Sequence, residues 1–361
     1  MRTRNYVLAL SVVFVTFILF GQYSSTSLSI LKSRSFEDHR IPAVFVVTVM
    51  TQAIGDLLSM QIVSLLANLN HPFVYVIVNN AKTDYHKKGI EDMSSFLSEK
   101  VSSKGIHIEH IVTNLPNSTE PSRDHGRALN LAVRHLCSGS TNLKIRSFDV
   151  LWLLDTDMFL LSQLNLNIEK WSLQKTWNIF SVLFSRTNNE LPGAPNQTYL
   201  WPNFALFNGF SHPQLLDIDF EPGFADSGSK TVGLLMSPSI IVIDSLSDYK
   251  SIEKKSTSFE LSTLCINEQN EQLPPHCTFW KDAVAKLVGI PAECAGPMKM
   301  LIQPPVASTP AFIFHLGSAT SNWRGCPSEY LGDRRNHLRL YLMSMLEKIN
   351  KTDLSSLISI L

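Results

Sequence analysis

The feature that most constrains this chain is a regular alternation of strand-like runs and helix-like segments. Val44–Met50, Phe73–Val78, Ile106–Thr113 and Val150–Leu154 are short and rich in β-branched or apolar residues, and they read as strands. Between them, 56–69, 90–101 and 123–137 carry apolar residues at helical spacing, for example Leu57, Met60, Leu66 and Leu69. Strands separated by helices of this length join through right-handed βαβ crossovers, which build a mostly parallel sheet. The expected fold class is α/β and Rossmann-like, with ligands beyond the C-terminal ends of the strands.

After about residue 165 the pattern loosens. Trp177–Phe184 reads as a strand, 186–202 as a long loop, and 213–228 as an acidic irregular segment. Leu234–Asp244 reads as a strand or hairpin, 259–288 contains a helix, Phe312–Leu316 is a late strand, and 332–348 closes as a helix. This half is an α+β elaboration of the first sheet, with no clear linker between the two.

One strand ends in chemistry. Val150–Leu154 runs directly into Asp155-Thr156-Asp157, and apolar residues resume at Met158. Aspartate is unfavourable inside strands and rarely buried unless paired. Two carboxylates at this spacing can point at one hard cation, Mn²⁺ or Mg²⁺, and that cation can hold the diphosphate of a nucleotide-sugar. Asp-Thr-Asp is also ordinary turn composition. The parallel-sheet setting and the address carried by the N-terminus favour the metal.

That address begins with Arg2 and Arg4, followed by an uncharged apolar run from Tyr6 to Gly21. Positive charge before an apolar segment favours a cytoplasmic N-terminus and a single-pass type II signal-anchor, although a cleaved signal peptide fits the same residues. Either sends the chain into the secretory pathway, to the Golgi or endoplasmic reticulum membrane with its bulk in the lumen, or to secretion. Sequons at Asn117, Asn196 and Asn350 agree. The five cysteines, Cys137, Cys265, Cys277, Cys294 and Cys326, lack the CxxC spacing of a zinc site. With 31 basic and 31 acidic residues, nothing in the charge balance points to nucleic acid. The expected organisation is a tail over 1–5, a transmembrane anchor over 6–24, a stem over 25–41, a catalytic domain over 42–348, and a C-terminal tail over 349–361.

Four local features together resemble nucleotide-sugar glycosyltransferases of the GT-A fold in their type II Golgi arrangement. They are the strand ending in Asp155-Thr156-Asp157; Asp124-His125-Gly126-Arg127-Ala128-Leu129-Asn130 upstream; His315-Leu316-Gly317-Ser318 with Ser321-Asn322-Trp323-Arg324; and Trp201-Pro202-Asn203-Phe204 followed by 219–222 and 226–228. The resemblance implies that Asp155, Asp157 and His315 hold Mn²⁺ or Mg²⁺. It implies that Asp155, His125, Arg127, Asn130 and Asn79 contact a UDP- or GDP-sugar donor. It further implies that Trp201, Asn203 and Trp323 frame a glycan or glycoconjugate acceptor. An inverting enzyme also needs a carboxylate base, for which Asp226 is the choice, since Gly228 permits close approach; a retaining one does not. The competing readings are a haloacid-dehalogenase-like phosphatase and a non-catalytic carbohydrate-binding protein on the same fold. In the dehalogenases the paired aspartates lie on the first strand, whereas three βα units precede them here.

Overall fold

The computed structural model describes residues 42–116, 118–138, 143, 145–146, 149–160, 163–164, 177–186, 197–209, 215–223, 227–236, 240–244, 298–302, 311–315 and 328–359. The first half alternates as expected: β1 (Val44–Met50), α1 (Gly55–Asn68), β2 (Phe73–Asn79), α2 (Asp84–Ser102), β3 (His107–Val112), α3 (Pro121–Cys137) and β4 (Val150–Leu154). Then come β5 (Met158–Leu160), β6 (Trp177–Arg186), β7 (Gln197–Phe207), a 3₁₀ turn (Ser229–Met236), β8 (Ile240–Asp244), β9 (Met298–Ile302), β10 (Ala311–His315) and α4 (Ser328–Lys348). A 3₁₀ turn (Thr352–Leu354) and α5 (Ser355–Ser359) follow.

The main sheet has the order β3-β2-β1-β4-β7-β6-β8. The pairs β1·β2, β2·β3, β1·β4 and β6·β8 are parallel; β7 is antiparallel to both β4 and β6. The chain builds outward from β1 to β3, then returns through α3 to lay β4 on the other side of β1. Strand order therefore reverses between β1 and β4, and the crevice beyond their C-terminal ends is where such sheets bind ligands. A second, antiparallel sheet of order β5-β10-β9 stands beside the first.

Burial on both faces explains why β1, β2 and β4 are continuous apolar runs. Val44, Val46, Tyr75, Ile77, Trp152 and Leu154 pack toward α1, α2 and α4. Phe45, Val47, Val74, Val76, Leu151 and Leu153 pack toward α3, through Ala128, Leu129, Ala132 and Val133. Helix α1 is buried along nearly its whole length, as expected of a helix covered on every side. The Thr83 side chain caps α2 by accepting from the His86 N–H, and Pro121 opens α3 where a missing N–H costs nothing.

Three expectations change. The loop expected over 186–202 gives way to β7 from Gln197, and β9 was not anticipated. Pro192, Gly193 and Pro195 made this stretch read as loop; Pro202, at its end, and Asn203 lie in a β-bulge, because the β6·β7 register shifts between Ser181 and Leu183. Proline donates nothing to a ladder, so a bulge accommodates it. Residues expected as a C-terminal tail belong to the packed domain: Leu354, Leu357 and Ile358 are buried against the α1 side of the core. Lys351 donates to the Leu66 and Ala67 carbonyls at the end of α1, and burial pushes its pKa down against the pull of Asp353. Asn350, the sequon residue among those described, is exposed at φ 56° and ends α4 in the left-handed region.

Among the described residues no helix is long and apolar enough to cross a membrane. The expected anchor over 6–24 and stem over 25–41 lie outside them, as do the helix expected within 259–288, Asn117, Asn196 and four of the five cysteines. Cys137 is a free, half-buried thiol whose pKa burial raises.

Ending the chain at Lys348 should be costly. It removes three buried side chains worth about 1.5–3 kcal/mol each, together with the Lys351 cap. Urea denaturation should show a midpoint well below that of the full chain; an unchanged midpoint would contradict this packing.

Candidate functional site

The site grows from the end of β4. Leu154 is the last residue paired across to β7, opposite Phe204. The next four residues form a turn, closed by the Met158 N–H donating to the Asp155 carbonyl at 3.0 Å. Asp155 is thus its first residue and Asp157 its third. Both the turn reading and the strand-end reading of Asp-Thr-Asp are correct at once.

Asp155 is fixed from two directions. Its N–H donates to the Asn203 carbonyl at 2.9 Å, and its carboxylate accepts from Asn203 Nδ2 at 2.6 Å and from the Thr156 N–H at 2.9 Å. The β7 bulge is what brings Asn203 here. Asp157 is 4 % exposed. The backbone of His315 ends β10 directly opposite Met158, next to Asp157. Antiparallel partners lie about 4.5–5.5 Å apart at Cα, so the late histidine is a close neighbour of the turn. Of β10 only the backbone is described. Among the described residues no group of three or more His, Cys, Asp or Glu side chains converges.

Helix α3 and the acidic segment, read from the sequence as donor side and acceptor side, form one unit. Asn130 donates to Asp219 Oδ1 at 2.8 Å and accepts from the Phe220 N–H at 2.9 Å. Arg127 reaches Glu221 at 3.4 Å, and His125 Nδ1 lies 3.4 Å from Ser227 Oγ. A Cβ on Gly126 would fall 2.3 Å from the Phe220 carbonyl oxygen, so this glycine permits the close approach. Lys230 adds contacts of 2.8 Å to Asp219 and 3.6 Å to Glu221, and these acidic neighbours raise its pKa. Burial pushes the Asp219 carboxyl up. Hydrogen bonds from Lys230, the Glu221 N–H and Asn130 together still hold it below the usual carboxylate range. At the far end of the segment Gly228, at φ +86°, has the Leu200 carbonyl and Pro202 where a Cβ would stand. Contacts therefore run from α3 through 219–223 and 227–229 to β7 and on to Asp155.

A second polar cluster caps β2 and β3. Lys82 Nζ lies 2.8 Å from Asp124 Oδ2, Asn80 donates to the Asp124 carbonyl at 3.1 Å, and Thr113 donates to Asn80 Oδ1 at 2.7 Å. Lys82, Thr113 and Asp124 were not among the site residues expected from the sequence. The available signal was an aspartate in the first turn of a helix that follows a strand.

Trp201, Asn79 and Asn203 make other contacts than those expected. Trp201 is 5 % exposed and sits in the core on the α1 side. Its ring offers no face to an acceptor sugar, and the expectation had rested on its lying in a loop. Asn79 is 1 % exposed; its amide donates to the Lys87 carbonyl and accepts from the Ala81 N–H, which shapes the β2–α2 connection. Asn203 supports Asp155 where an acceptor contact was expected. Asp226 and Trp323 lie outside the described residues.

No family model matches the sequence, and no curated protein matches it. Solved structures resemble it at low identity. The mannosyltransferase PcManGT from Pyrobaculum calidifontis, in complex with GDP-Man and Mn²⁺, is 15% identical with TM-score 0.36, covering 94% of this chain and 97% of that one. Core-mannan synthase A from Aspergillus fumigatus, in its Mn/GDP form, is 10% identical with TM-score 0.35, covering 59% and 75%. The galactosyltransferase LgtC, with donor and acceptor sugar analogs, is 12% identical with TM-score 0.38, covering 69% and 98%. The site described above is defined by this chain's own strand order and contacts.

Gly126→Ala tests the union of α3 with the acidic segment. Helix propensity alone favours alanine by about 1 kcal/mol. The overlap with Phe220 should outweigh that and destabilise the protein by about 1–3 kcal/mol. A thermal melt at or above wild type would show that the two do not meet.

Proposed function

We propose that this chain is a metal-dependent glycosyltransferase of the GT-A fold. It moves a sugar from a UDP- or GDP-sugar to a glycan, protein or lipid acceptor in the secretory pathway. The observation that carries the reading is the Asp155–Met158 turn, which presents two carboxylates at the C-terminal end of β4, beside the point where strand order reverses. The pairing of His315 with Met158 supports it.

The donor set fits the cation. Two carboxylates and an imidazole are ligands that Mn²⁺ and Mg²⁺ accept, carboxylate oxygen being the preferred type. Asp155, Asp157 and His315 would hold it. When bound, such an ion neutralises charge on a leaving diphosphate.

The chain's own residues do the positioning. Asn203 orients the Asp155 carboxylate through paired main-chain and side-chain contacts. Asn130, Arg127 and His125 hold Asp219, Glu221 and Ser227. If the anomeric centre inverts, Asp226 is the proposed base that takes the acceptor hydroxyl proton; a retaining transfer needs none. The Lys82–Asp124 pair and Asn80, at the ends of β2 and β3, lie toward the proposed nucleotide side, and Trp323 remains the proposed acceptor-side aromatic. A type II anchor over 6–24, with the domain in the Golgi or endoplasmic reticulum lumen, is the proposed setting, and secretion is its alternative.

A panel of UDP- and GDP-sugars incubated with the purified full chain should reveal one donor from which nucleotide is released with Mn²⁺ and not with EDTA. Asp157→Asn should lower that turnover by about 10²-fold or more, since a metal's charge stabilisation is worth several kcal/mol. Turnover that survives both EDTA and Asp157→Asn would refute the mechanism.

A further inference from the structure

Besides Asp56 in its first turn and the buried Ser59, the polar residues of helix α1 are Gln61, Ser64 and Asn68, and all three are buried. The spacing of three and then four residues places them on one face. That face lies along the segment that carries the carboxylate pair. Gln61 Nε2 donates to the Asp155 carbonyl at 2.5 Å and to the Met158 carbonyl at 2.8 Å. Ser64 Oγ accepts from the Leu160 N–H at 3.1 Å, and Asn68 Nδ2 donates to the Leu160 carbonyl at 2.8 Å. Successive backbone groups of a strand point to opposite edges. Met158 and Leu160 therefore turn one edge of β5 to α1, while β10 pairs along the other.

Gln61 is the member of the stripe that grips the turn itself. Its two amide hydrogens hold both ends, the carbonyls of the first and fourth residues. Two carbonyl acceptors fix which side of the amide faces the turn, because only the NH₂ group can serve both. The other side, Oε1, accepts from the Tyr75 hydroxyl. Tyr75 is fully buried on β2, and burial drives its pKa well up while the Thr48 hydroxyl opposes the rise. Tyr75 therefore stays protonated and remains a donor. The line of contacts runs from the core of the sheet, through one glutamine, to the backbone on either side of Asp157.

We infer that Gln61 is a positioning residue for the carboxylate pair: it locks the Asp155–Met158 turn in the geometry in which Asp155 and Asp157 converge on a cation. It touches neither carboxylate and acts wholly through main-chain carbonyls. The inference rests on the proposed role of the pair in holding a divalent cation. Outer-layer partners that orient metal ligands typically account for about 10- to 100-fold in metal affinity.

The test uses the full chain without donor or acceptor and follows Mn²⁺ binding through the electron paramagnetic resonance signal of the free ion. Asp157→Asn is the control for the pair, and its binding should be lost. Gln61→Met keeps the volume and removes both donors; Tyr75→Phe removes the hydroxyl behind Gln61 and leaves both donors in place. Both should lower the melting temperature. Gln61→Met alone should weaken Mn²⁺ binding, by about tenfold or more, while Tyr75→Phe should stay within about twofold of wild type. Should Gln61→Met not fold, Gln61→Glu has the same shape, lacks the paired N–H donors, and should give the same loss. Wild-type affinity in the Gln61 variant would overturn the inference, and so would an equal loss in Tyr75→Phe, because the effect would then follow stability alone. A wild-type chain that binds no Mn²⁺, or an Asp157→Asn variant that binds it normally, would instead overturn the proposed metal site.

Discussion

Main-chain polar groups that leave a sheet must find new partners, and residues 155–160 do so immediately after β4 ends. An unpaired buried amide or carbonyl costs about 1–3 kcal/mol, so a short segment with several of them holds its place only if every edge is met. Here the turn meets one of its own groups, Asn203 meets another, α1 meets one side of β5 and β10 the other. The small second sheet exists because a three-residue strand has to be flanked. The late return of the chain to form β10, about 150 residues after β5, is a structural requirement of the turn as well as a route by which His315 arrives beside it.

The same economy explains α3. Its apolar face supports the sheet through Ala128, Leu129, Ala132 and Val133. Its polar side reaches outward to Asp219, Glu221 and Ser227. A helix that anchors both the sheet and the acidic segment fixes their spacing. Gly126 sets the distance of closest approach, since any side chain there would overlap Phe220. Surface ion pairs are individually worth about 0–1 kcal/mol, so the lock depends more on the two buried-side bonds of Asn130 and on packing than on Arg127 or Lys230.

How much of this was legible in the sequence follows from what kind of contact each residue makes. The strands of the first half and their parallel arrangement were readable, because burial on both faces forces continuous apolar runs and crossovers force helices between them. Asp155 and Asp157 were readable because carboxylates interrupt such a run. The supporting layer was not. Gln61, Ser64 and Asn68 bond to backbone more than 90 residues away, and a backbone partner leaves no trace in side-chain pattern. Trp201 was read as a loop aromatic beside Pro202, where the chain forms a strand that takes a bulge. His125, Arg127 and Asn130 were expected as a group at the donor. Their observed contacts are to the acidic segment, which sequence order placed 90 residues off and charge alone could not assign to them.

The central claim is that the Asp155–Met158 turn is a cation site at the strand-order switch and that a nucleotide diphosphate is held through that cation. Crystals of the protein grown with Mn²⁺ and UDP or GDP, with data collected at an energy where manganese scatters anomalously, test it most directly. The account predicts one anomalous peak about 2.0–2.6 Å from a carboxylate oxygen of Asp157, with Asp155 and the diphosphate sharing the same ion. Nucleotide bound in the crevice with no peak at the turn, or a peak whose nearest carboxylate belongs to neither aspartate, would contradict it.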